Sequence, residues 1–323
     1  MSETIVVFRQ DISGECFALF TELPGDNRGI CCTAFPLYPE QTLFPDDPLD
    51  YVLSAEAQEA GSCAVREMPE PNVGELMVEN AGERPVLFLE GEELCGAKQN
   101  RVLLSSVLIG AGSRVAVPVF CVERGRWDRS SRNLKTGSHS PPSLRHILKG
   151  GSDRRADRQV SVWRFIVSKH RATGTRSPKG NLSDAIRSNP EVVKELRRDL
   201  RYPEGATGLA VAIHGSPVGI DLFDQPDSLR KVWDRMVVLG LTFEALDLGD
   251  AEAQGDNDGK PVRLYMESLK EMRWQESGTV GLGTAYRAVG GDGSLAAALV
   301  VDGRLLHLSL SVPVKKQGTP TWD

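Results

Sequence analysis

Two apolar runs in the first half of the chain each end in a cluster of polar residues. Residues 85–104 read PVLFLEGEELCGAKQNRVLL, and residues 115–127 read VAVPVFCVERGRW. Each apolar run is long enough for a buried strand, but a charge at the end of such a strand is costly unless it is paired or used. We call residues 90–101 the first polar segment and residues 121–127 the second polar segment. The pattern predicts that the two segments meet across a sheet and form one polar pocket.

Short apolar runs bounded by turn residues continue along the chain and predict mostly strands. CAVREM and GELMVEN are candidate strands, GLAVAIHGSPVGIDLF is a candidate hairpin, and Asp302-Gly303 is a strong two-residue hairpin signal. Helical patterns cover residues 51–60, 190–201 and 228–239. The predicted fold class is α+β, mainly antiparallel β-sheet with a few short helices. We expect one extended domain over residues 1–323.

Residues 129–160 show no clear period. Ser, Gly, Pro and Arg dominate the stretches SSRNLKTGSHSPPS and GGSDRRADRQ. Such composition is typical of a long loop. We therefore predict a basic, loop-rich and poorly packed segment over residues 129–160.

Composition and charge narrow the class of protein. Hydrophobic residues make up 40% and charged residues 25% of the chain, as in an ordinary globular protein. No apolar run approaches the roughly 18 residues that span a bilayer, and the N-terminal residues lack a signal-peptide pattern. None of the six cysteines forms a CxxC pair. These features predict a cytoplasmic protein without a membrane partner, and they leave the oligomeric state open.

The net charge of −6 is unevenly distributed. Residues 124–201 contain 20 Lys and Arg against 7 Asp and Glu, although the chain as a whole is acidic. A basic segment of this kind indicates an anionic partner, such as a phosphate, a nucleotide or nucleic acid. The alternative is that the segment packs against the acidic remainder of its own chain.

Several common chemistries have no support in the sequence. The five histidines are scattered without metal-ligand spacing, so we predict no metal site. No GxSxG motif marks a serine nucleophile, and GLGTAYRAVGG does not follow a strand and open a helix as a dinucleotide fingerprint does. The sequence points to no cofactor.

The two polar segments hold the candidate site. Glu90, Glu92 and Glu123 are the candidate catalytic carboxylates, with Glu90 or Glu92 as a general base or as a ligand for a ribose diol. Amide, guanidinium, ammonium and aromatic groups suited to grip a phosphate and stack on a base form the candidate ligand-binding set: Lys98, Gln99, Asn100, Arg101, Arg126 and Trp127.

Each assignment has an alternative. Glu90, next to Gly91, is otherwise a turn residue that faces water. Glu123 either continues a buried strand face, which raises the pKa of a carboxylate, or pairs with a nearby arginine at 101, 124 or 126. Cys121 is better explained as a packed thiol than as a nucleophile, because no histidine lies nearby in sequence.

The stretch ENAGERPVLFLEGEELCGAKQNRVL followed by PVFCVERGRW resembles a bacterial domain family named for its association with ADP-ribosylglycohydrolases and rhodanese-phosphatases. The resemblance implies a link to NAD or ADP-ribose metabolism, and it assigns no catalytic role to an individual residue. We expect a protein that binds, and hydrolyses or transfers, an ADP-ribose-like or other phosphorylated nucleotide. The alternatives are a non-catalytic module that docks nucleic acid or an acidic partner through the basic segment, and a scaffold whose polar segments form an internal ion-pair network.

Overall fold

The computed structural model describes ten stretches of the chain, and the fold is given for these residues: 17–22, 29–37, 49–70, 72–128, 131–150, 154–213, 216–247, 268–269, 271–278 and 280–313. The fold is α+β, and almost all strand pairs are antiparallel, which confirms the predicted class. The single-domain organisation stays a prediction.

A closed barrel occupies the centre of the described region. Its strands are β4 (Cys63–Glu67), β5 (Glu75–Asn80), β7 (Glu92–Gly96), β8 (Arg101–Leu103), β10 (Arg114–Cys121) and β11 (Leu134–His139), in the order β10-β5-β4-β11-β7-β8. Alternate residues point inward because the side-chain period of a strand is two. Most of the inward set is apolar and fully buried, as Val65, Val78, Leu94 and Val117 show. The barrel therefore has its own hydrophobic core.

A small three-stranded sheet lies against the barrel. It consists of β3 (Val52–Leu53), β6 (Val86–Phe88) and β9 (Val107–Ile109), with β3 and β6 parallel. The apolar run predicted as one strand thus leaves this sheet at Glu90-Gly91 and enters the barrel as β7. Gly91 has a φ of +82°, a backbone conformation that glycine adopts without strain.

An antiparallel sheet makes the third layer. Its strands are β1 (Phe17–Glu22), β2 (Gly29–Leu37), β12 (Gly208–Ile213), β13 (Ser216–Phe223), β14 (Gln275–Glu276), β15 (Thr284–Val289), β16 (Leu295–Val301) and β17 (Arg304–Ser311), in the order β1-β2-β12-β13-β17-β16-β15-β14. The predicted hairpin of β12 and β13 is confirmed. Asp302 and Gly303 join β16 to β17 with φ of 50° and 74°, as a two-residue turn requires.

Helices cover parts of the sheet and barrel. They are α1 (Ser54–Glu59), α2 (Pro142–Lys149), α3 (Arg155–Ala172), α4 (Asp184–Arg187), α5 (Pro190–Asp199), α6 (Pro226–Trp233), a π-helical stretch (Asp234–Leu239) and α7 (Gly240–Asp247). The helix predicted from residue 51 begins at Ser54. The helix predicted over residues 228–239 is divided between α6 and the π-helical stretch.

The predicted loop over residues 129–160 is wrong. Within its described part, β11, α2 and the start of α3 form regular structure. The sequence of α2 does carry a helical period, since Leu144, Ile147 and Leu148 lie on one face, but the helix has only eight residues and is bounded by Ser, Gly and Pro. Arg145 and Lys149, on the neighbouring face of α2, are buried as well.

Candidate functional site

One end of the barrel brings together residues from both polar segments. We call the group Glu67, Gln99, Arg101 and Cys121 the barrel mouth. The thiol of Cys121 donates to Oε1 of Gln99 at 3.1 Å, and Nη1 of Arg101 lies 3.8 Å from the Cys121 sulfur. Burial raises the pKa of Cys121, although the Arg101 charge opposes this. Cys121 is therefore a packed thiol, as the sequence suggested.

Arg101 is fully buried but poorly hydrogen-bonded. Its exposed fraction is 0%, and it lies two positions before Leu103 of the barrel core on β8, so both side chains point into the barrel. Its Nε and Nη2 atoms have no hydrogen-bond partner among the described residues. The Glu67 carboxylate lies 4.0 Å from Nη2, at the limit of an ion pair. Arg101 is thus a buried charge with weak compensation.

The two polar segments meet through Asn100 and Arg126. Oε2 of Glu123 accepts hydrogen bonds from Arg126 Nε at 2.8 Å and from the Asn100 backbone N–H at 3.1 Å. Arg126 also donates to the carbonyl groups of Ala97 at 2.6 Å and Gly96 at 3.1 Å. The ion pair proposed for Glu123 is therefore present, with Arg126 as its partner. Gln99 and Arg101 reach the second polar segment at Cys121 instead.

Trp127 and Lys98 lie at the outer rim of the same end. Trp127 is 53% exposed, and Nζ of Lys98 lies 5.2 Å from the centre of its ring. An exposed aromatic ring with a cation above it offers a stacking surface and a positive charge.

The candidate carboxylates before β8 do not share one site. Glu92 accepts a hydrogen bond from the Ser54 hydroxyl at 2.5 Å, and burial raises its pKa. Glu93, which sequence reasoning did not select, accepts hydrogen bonds from Asn100 Nδ2 at 3.1 Å and Ser138 Oγ at 2.5 Å. Glu90 lies in a third environment. The turn interpretation of Glu90 is half correct: it lies in a turn, but it is 1% exposed and does not face water.

Glu90 belongs to a group of ionisable side chains between α2 and the large sheet. We call Glu90, Arg145, Lys149, Asp221 and His307 the buried charged cluster. Arg145 donates to Asp221 at 2.9 and 2.5 Å through its two terminal nitrogens, and its Nε lies 3.1 Å from Glu90. Nζ of Lys149 lies 2.6 Å from Glu90. These pairs compensate charges that burial would otherwise make very costly.

The pKa values in the cluster follow from this pairing. Burial would raise the pKa of Glu90, but the charges of Lys149 and Arg145 outweigh burial and lower it. The pKa of Asp221 is lowered in the same way, chiefly by Arg145. Burial lowers the pKa of Lys149 to about 8, against the opposing effect of Glu90. Both carboxylates therefore stay ionised at neutral pH.

Two small cavities that share lining residues lie beside this cluster, and we call them together the cleft, with the cavity at Glu90 and His307 as its inner part and the other cavity as its outer part. Its outer part has a volume of about 90 Å³ and is lined by Ser105, Ser106, Ser277 and Arg287. Its inner part, about 10 Å³, adds Glu90 and His307 to the same serines and arginine. A titratable group at the end of an enclosed cleft is a common setting for chemistry.

Sequence reasoning missed most of this cluster. The only usable signal was the alternation HLSLS at residues 307–311, which predicts a polar strand face. The ordinary interpretation is that such a face meets solvent, but His307, Ser309 and Ser311 are all buried. Arg145 and Lys149 lie in the segment predicted as a loop.

No group of three or more His, Cys, Asp and Glu side chains in the described ranges is arranged to hold a metal ion. No helix in that part of the chain is long and apolar enough to cross a membrane.

The fold and these sites define an α+β protein in which a small barrel and an antiparallel sheet enclose a buried charged cluster. The chain belongs to the family of the ARG and Rhodanese-Phosphatase-superfamily-associated Protein domain, ARPP-1, which matches residues 32–311. The resemblance noted in the sequence is thereby confirmed, and the domain is associated with the two superfamilies in its name. No curated protein and no solved structure shows a significant match to the chain.

Proposed function

We propose that this protein binds a phosphorylated nucleotide of the ADP-ribose type at the barrel mouth. The observation that carries the proposal is the buried guanidinium group of Arg101, whose Nε and Nη2 atoms lack hydrogen-bond acceptors among the described residues. An unsatisfied buried charge is expensive, and its persistence is explained when a ligand supplies the acceptors. Phosphate oxygens match the donor fork of arginine closely.

The neighbouring groups suit the rest of such a ligand. The ring of Trp127 is exposed at the rim and offers a surface for a base, with the Lys98 ammonium nearby for a second phosphate. The Glu67 side chain is more exposed than Arg101 and is its nearest carboxylate. A phosphate that reaches Arg101 replaces this distant acceptor with a closer one.

The proposal extends to hydrolysis or transfer of the bound nucleotide. Among the three candidate carboxylates, Glu123 lies closest in the hydrogen-bond network to the barrel mouth, since it binds the backbone N–H of Asn100, next to Arg101. Its Oε2 atom is fixed by Arg126, which orients the carboxylate for a ribose hydroxyl or a water molecule. Glu90 and Glu92 lie in other networks, so a role for them requires a second position of the ligand.

Calorimetric titration with ADP-ribose tests the proposal directly. Arg101→Met should lower the affinity about 10- to 150-fold, the value of one charged hydrogen bond. Trp127→Ala should lower it by about 5- to 150-fold, the value of one stacked base. Arg114→Met, which changes an exposed arginine on β10 paired with Glu79, is the matched control and should leave affinity unchanged. Absence of binding to the wild-type protein, or equal affinity in Arg101→Met, would overturn the proposal.

A second candidate function is favoured by the outer face of α3. Arg124, Trp163, Arg164 and Arg171 line a shallow groove of about 390 Å³, together with the exposed Val160 and Val167. The Arg124 guanidinium lies 5.1 Å from the centre of the Trp163 ring. Arginines around an aromatic ring fit a single-stranded nucleic acid, in which phosphates and bases alternate.

The salt dependence of binding decides this alternative. Binding of a fluorescent single-stranded oligonucleotide should weaken steeply as salt rises, and the double substitution Arg164→Glu and Arg171→Glu should abolish it. Lys135→Glu reverses an exposed charge on β11, away from α3, and is the control. If all three proteins bind equally, or if none binds at low salt, α3 is not a nucleic-acid surface.

A further inference from the structure

Ser106, His307 and Asp221 lie in series at the inner part of the cleft, joined by one hydrogen bond and one electrostatic contact. The Ser106 hydroxyl lies 2.8 Å from Nδ1 of His307, and Nε2 of His307 lies 3.4 Å from Oδ1 of Asp221. The longer contact is electrostatic rather than a well-directed hydrogen bond, because Nε2 has no hydrogen-bond partner by geometry. Ser106 follows β8, Asp221 lies on β13 and His307 on β17, so three distant parts of the chain build the series.

The hydrogen-bond pattern fixes the direction of proton transfer. The backbone N–H of Glu90 donates to Ser106 Oγ at 2.9 Å, which leaves the hydroxyl hydrogen for His307. A proton on Nε2 is favoured because that atom faces the Asp221 carboxylate, which stays ionised beside Arg145. Nδ1 is then the acceptor. This is the arrangement that a serine nucleophile and its general base require.

We propose that the cleft is the active site of an acyl-ester hydrolase, with Ser106 as the nucleophile and His307 as the general base. Both residues line the same inner cavity, so a carbonyl carbon in the cleft can reach Ser106 Oγ. The inner part, about 10 Å³, is close to the space that one water molecule needs. The outer part, about 90 Å³, accepts only a small acyl group.

The reaction is balanced within these residues and water. Ser106 Oγ bonds to the ester carbon while its proton passes to His307 Nδ1. The bond from the carbonyl carbon to the alcohol oxygen then breaks, and His307 returns the proton to the leaving alcohol. Water next attacks the acyl carbon while His307 accepts one of its protons. The bond from that carbon to Ser106 Oγ then breaks, His307 returns the proton to Ser106 Oγ, and the carboxylic acid leaves. Asp221 remains ionised throughout and stabilises the imidazolium.

Arg287 selects the substrate class. It lines both parts of the cleft, and no ion pair or side-chain hydrogen bond occupies its guanidinium among the described residues. A cation in an enclosed cleft favours an ester that carries an anionic group. The substrate is therefore a small acyl ester of an anionic alcohol. The site is separate from the barrel mouth, so the two proposals can fail independently.

Covalent labelling tests the nucleophile in the unmodified protein. A fluorophosphonate probe should attach to the wild-type protein, and peptide mass spectrometry should place it on Ser106 rather than on the neighbouring Ser105. This readout does not depend on whether any variant folds. Absence of the label from Ser106 would overturn the proposal.

Hydrolysis rates test the roles of the separate residues. Ser106→Ala and His307→Gln should each lower kcat/KM for p-nitrophenyl acetate by at least about 100-fold. Ser161→Ala, on α3 and outside the lining of the cleft, should match the wild type. Asp221→Asn should lower kcat with KM unchanged, which a purely structural role would not do in folded protein. Equal rates for Ser106→Ala and wild type would also overturn the proposal.

A comparison of a charged ester with an uncharged ester measures the preference for an anionic alcohol group. The wild type should hydrolyse 4-carboxyphenyl acetate about 10-fold more efficiently than phenyl acetate, as one charged contact predicts. Arg287→Gln should lower the activity toward 4-carboxyphenyl acetate and bring this ratio close to 1. A ratio that persists in Arg287→Gln would contradict the assigned substrate class.

Discussion

Nζ of Lys149 lies 2.6 Å from Oε1 of Glu90, and the side chain of each is at least 98% shielded from solvent. Removal of one partner from a buried pair leaves an uncompensated charge. Lys149→Met should therefore lower the free energy of unfolding by about 3 kcal/mol, measured by urea denaturation. The control is Lys194→Met, which removes an 80% exposed partner of Glu191 and should change stability by less than about 0.5 kcal/mol. Equal effects would show that the buried pair is not a structural requirement.

The two arginines of the polar segments should respond differently to loss of charge. Arg126→Met removes the ion-pair partner of Glu123 and a donor to two backbone carbonyl groups, so it should destabilise the protein by about 3–5 kcal/mol. Arg101→Met removes a buried charge that has few hydrogen bonds. The free energy of unfolding should therefore fall by no more than about 1 kcal/mol, or it should rise. Urea denaturation of both variants measures the difference.

A large loss of stability in Arg101→Met would mean that the Glu67 pair at 4.0 Å is structurally important. In that case the arginine supports the barrel, and the nucleotide proposal loses its principal observation. The exposed control Arg114→Met should remain within about 0.5 kcal/mol of the wild type.

Asp224 should make stability depend on pH in a specific window. Burial raises its pKa from 3.8 to about 6, and Tyr51 donates a hydrogen bond to it at 2.5 Å. The folded state therefore retains a proton that the unfolded state loses, and this stabilisation disappears as pH rises from 3.8 to about 6. Asp224→Asn keeps the acceptor without the charge. It should be more stable than wild type by about 1–3 kcal/mol at pH 7 and near equal at pH 4.

Urea denaturation of both proteins across this pH range measures the difference in unfolding free energy. Since other carboxylates titrate equally in wild type and variant, the difference isolates Asp224. A difference that is constant from pH 4 to pH 7 would show that Asp224 does not titrate in this window.

Gly91 should tolerate no side chain. It has a φ of +82°, and a Cβ there would lie 2.9 Å from Arg145 Cδ and from His139 Cε1. Gly91→Ala therefore strains the backbone and displaces the buried charged cluster. Gly61→Ala is the matched control, because Gly61 has a φ of +72° but a Cβ added there would meet no atom within 4 Å.

Gly61→Ala should lower the free energy of unfolding by about 1–2 kcal/mol, which is the backbone strain alone. Gly91→Ala should lower the free energy of unfolding by at least about 1 kcal/mol more than Gly61→Ala does, because overpacking adds to the strain. Similar thermal unfolding of the two variants would mean that the cluster has room to move.

The local elements were largely predictable. Alternating apolar residues identified β4 and β5, and Asp302-Gly303 identified the turn between β16 and β17. These signals are local, because side-chain period and turn conformation depend on residues within a few positions of each other. The same alternation placed Gln99 and Arg101 on one face, and both do contact Cys121.

The tertiary contacts that surround each strand and turn were not predictable from local patterns. Glu90, Glu92 and Glu93 are almost adjacent, yet they enter three separate polar networks. A turn at Gly91 takes the chain from the three-stranded sheet into the barrel, and no local sequence pattern indicates this change. The contribution of Glu123 to the barrel mouth likewise depends on Arg126 and Asn100, which only the closed barrel brings together.

The alternation along β17 shows most clearly what the sequence determines and what the tertiary structure determines. The sequence by itself determined that His307, Ser309 and Ser311 share one face of a strand. Only the tertiary structure decided that this face is buried under α2, with Arg145 and Lys149 turned toward it. The physical reason is that a polar face is stable either in water or against complementary buried charges. The choice depends on which distant segment packs there, and a strand's own residues do not encode that partner.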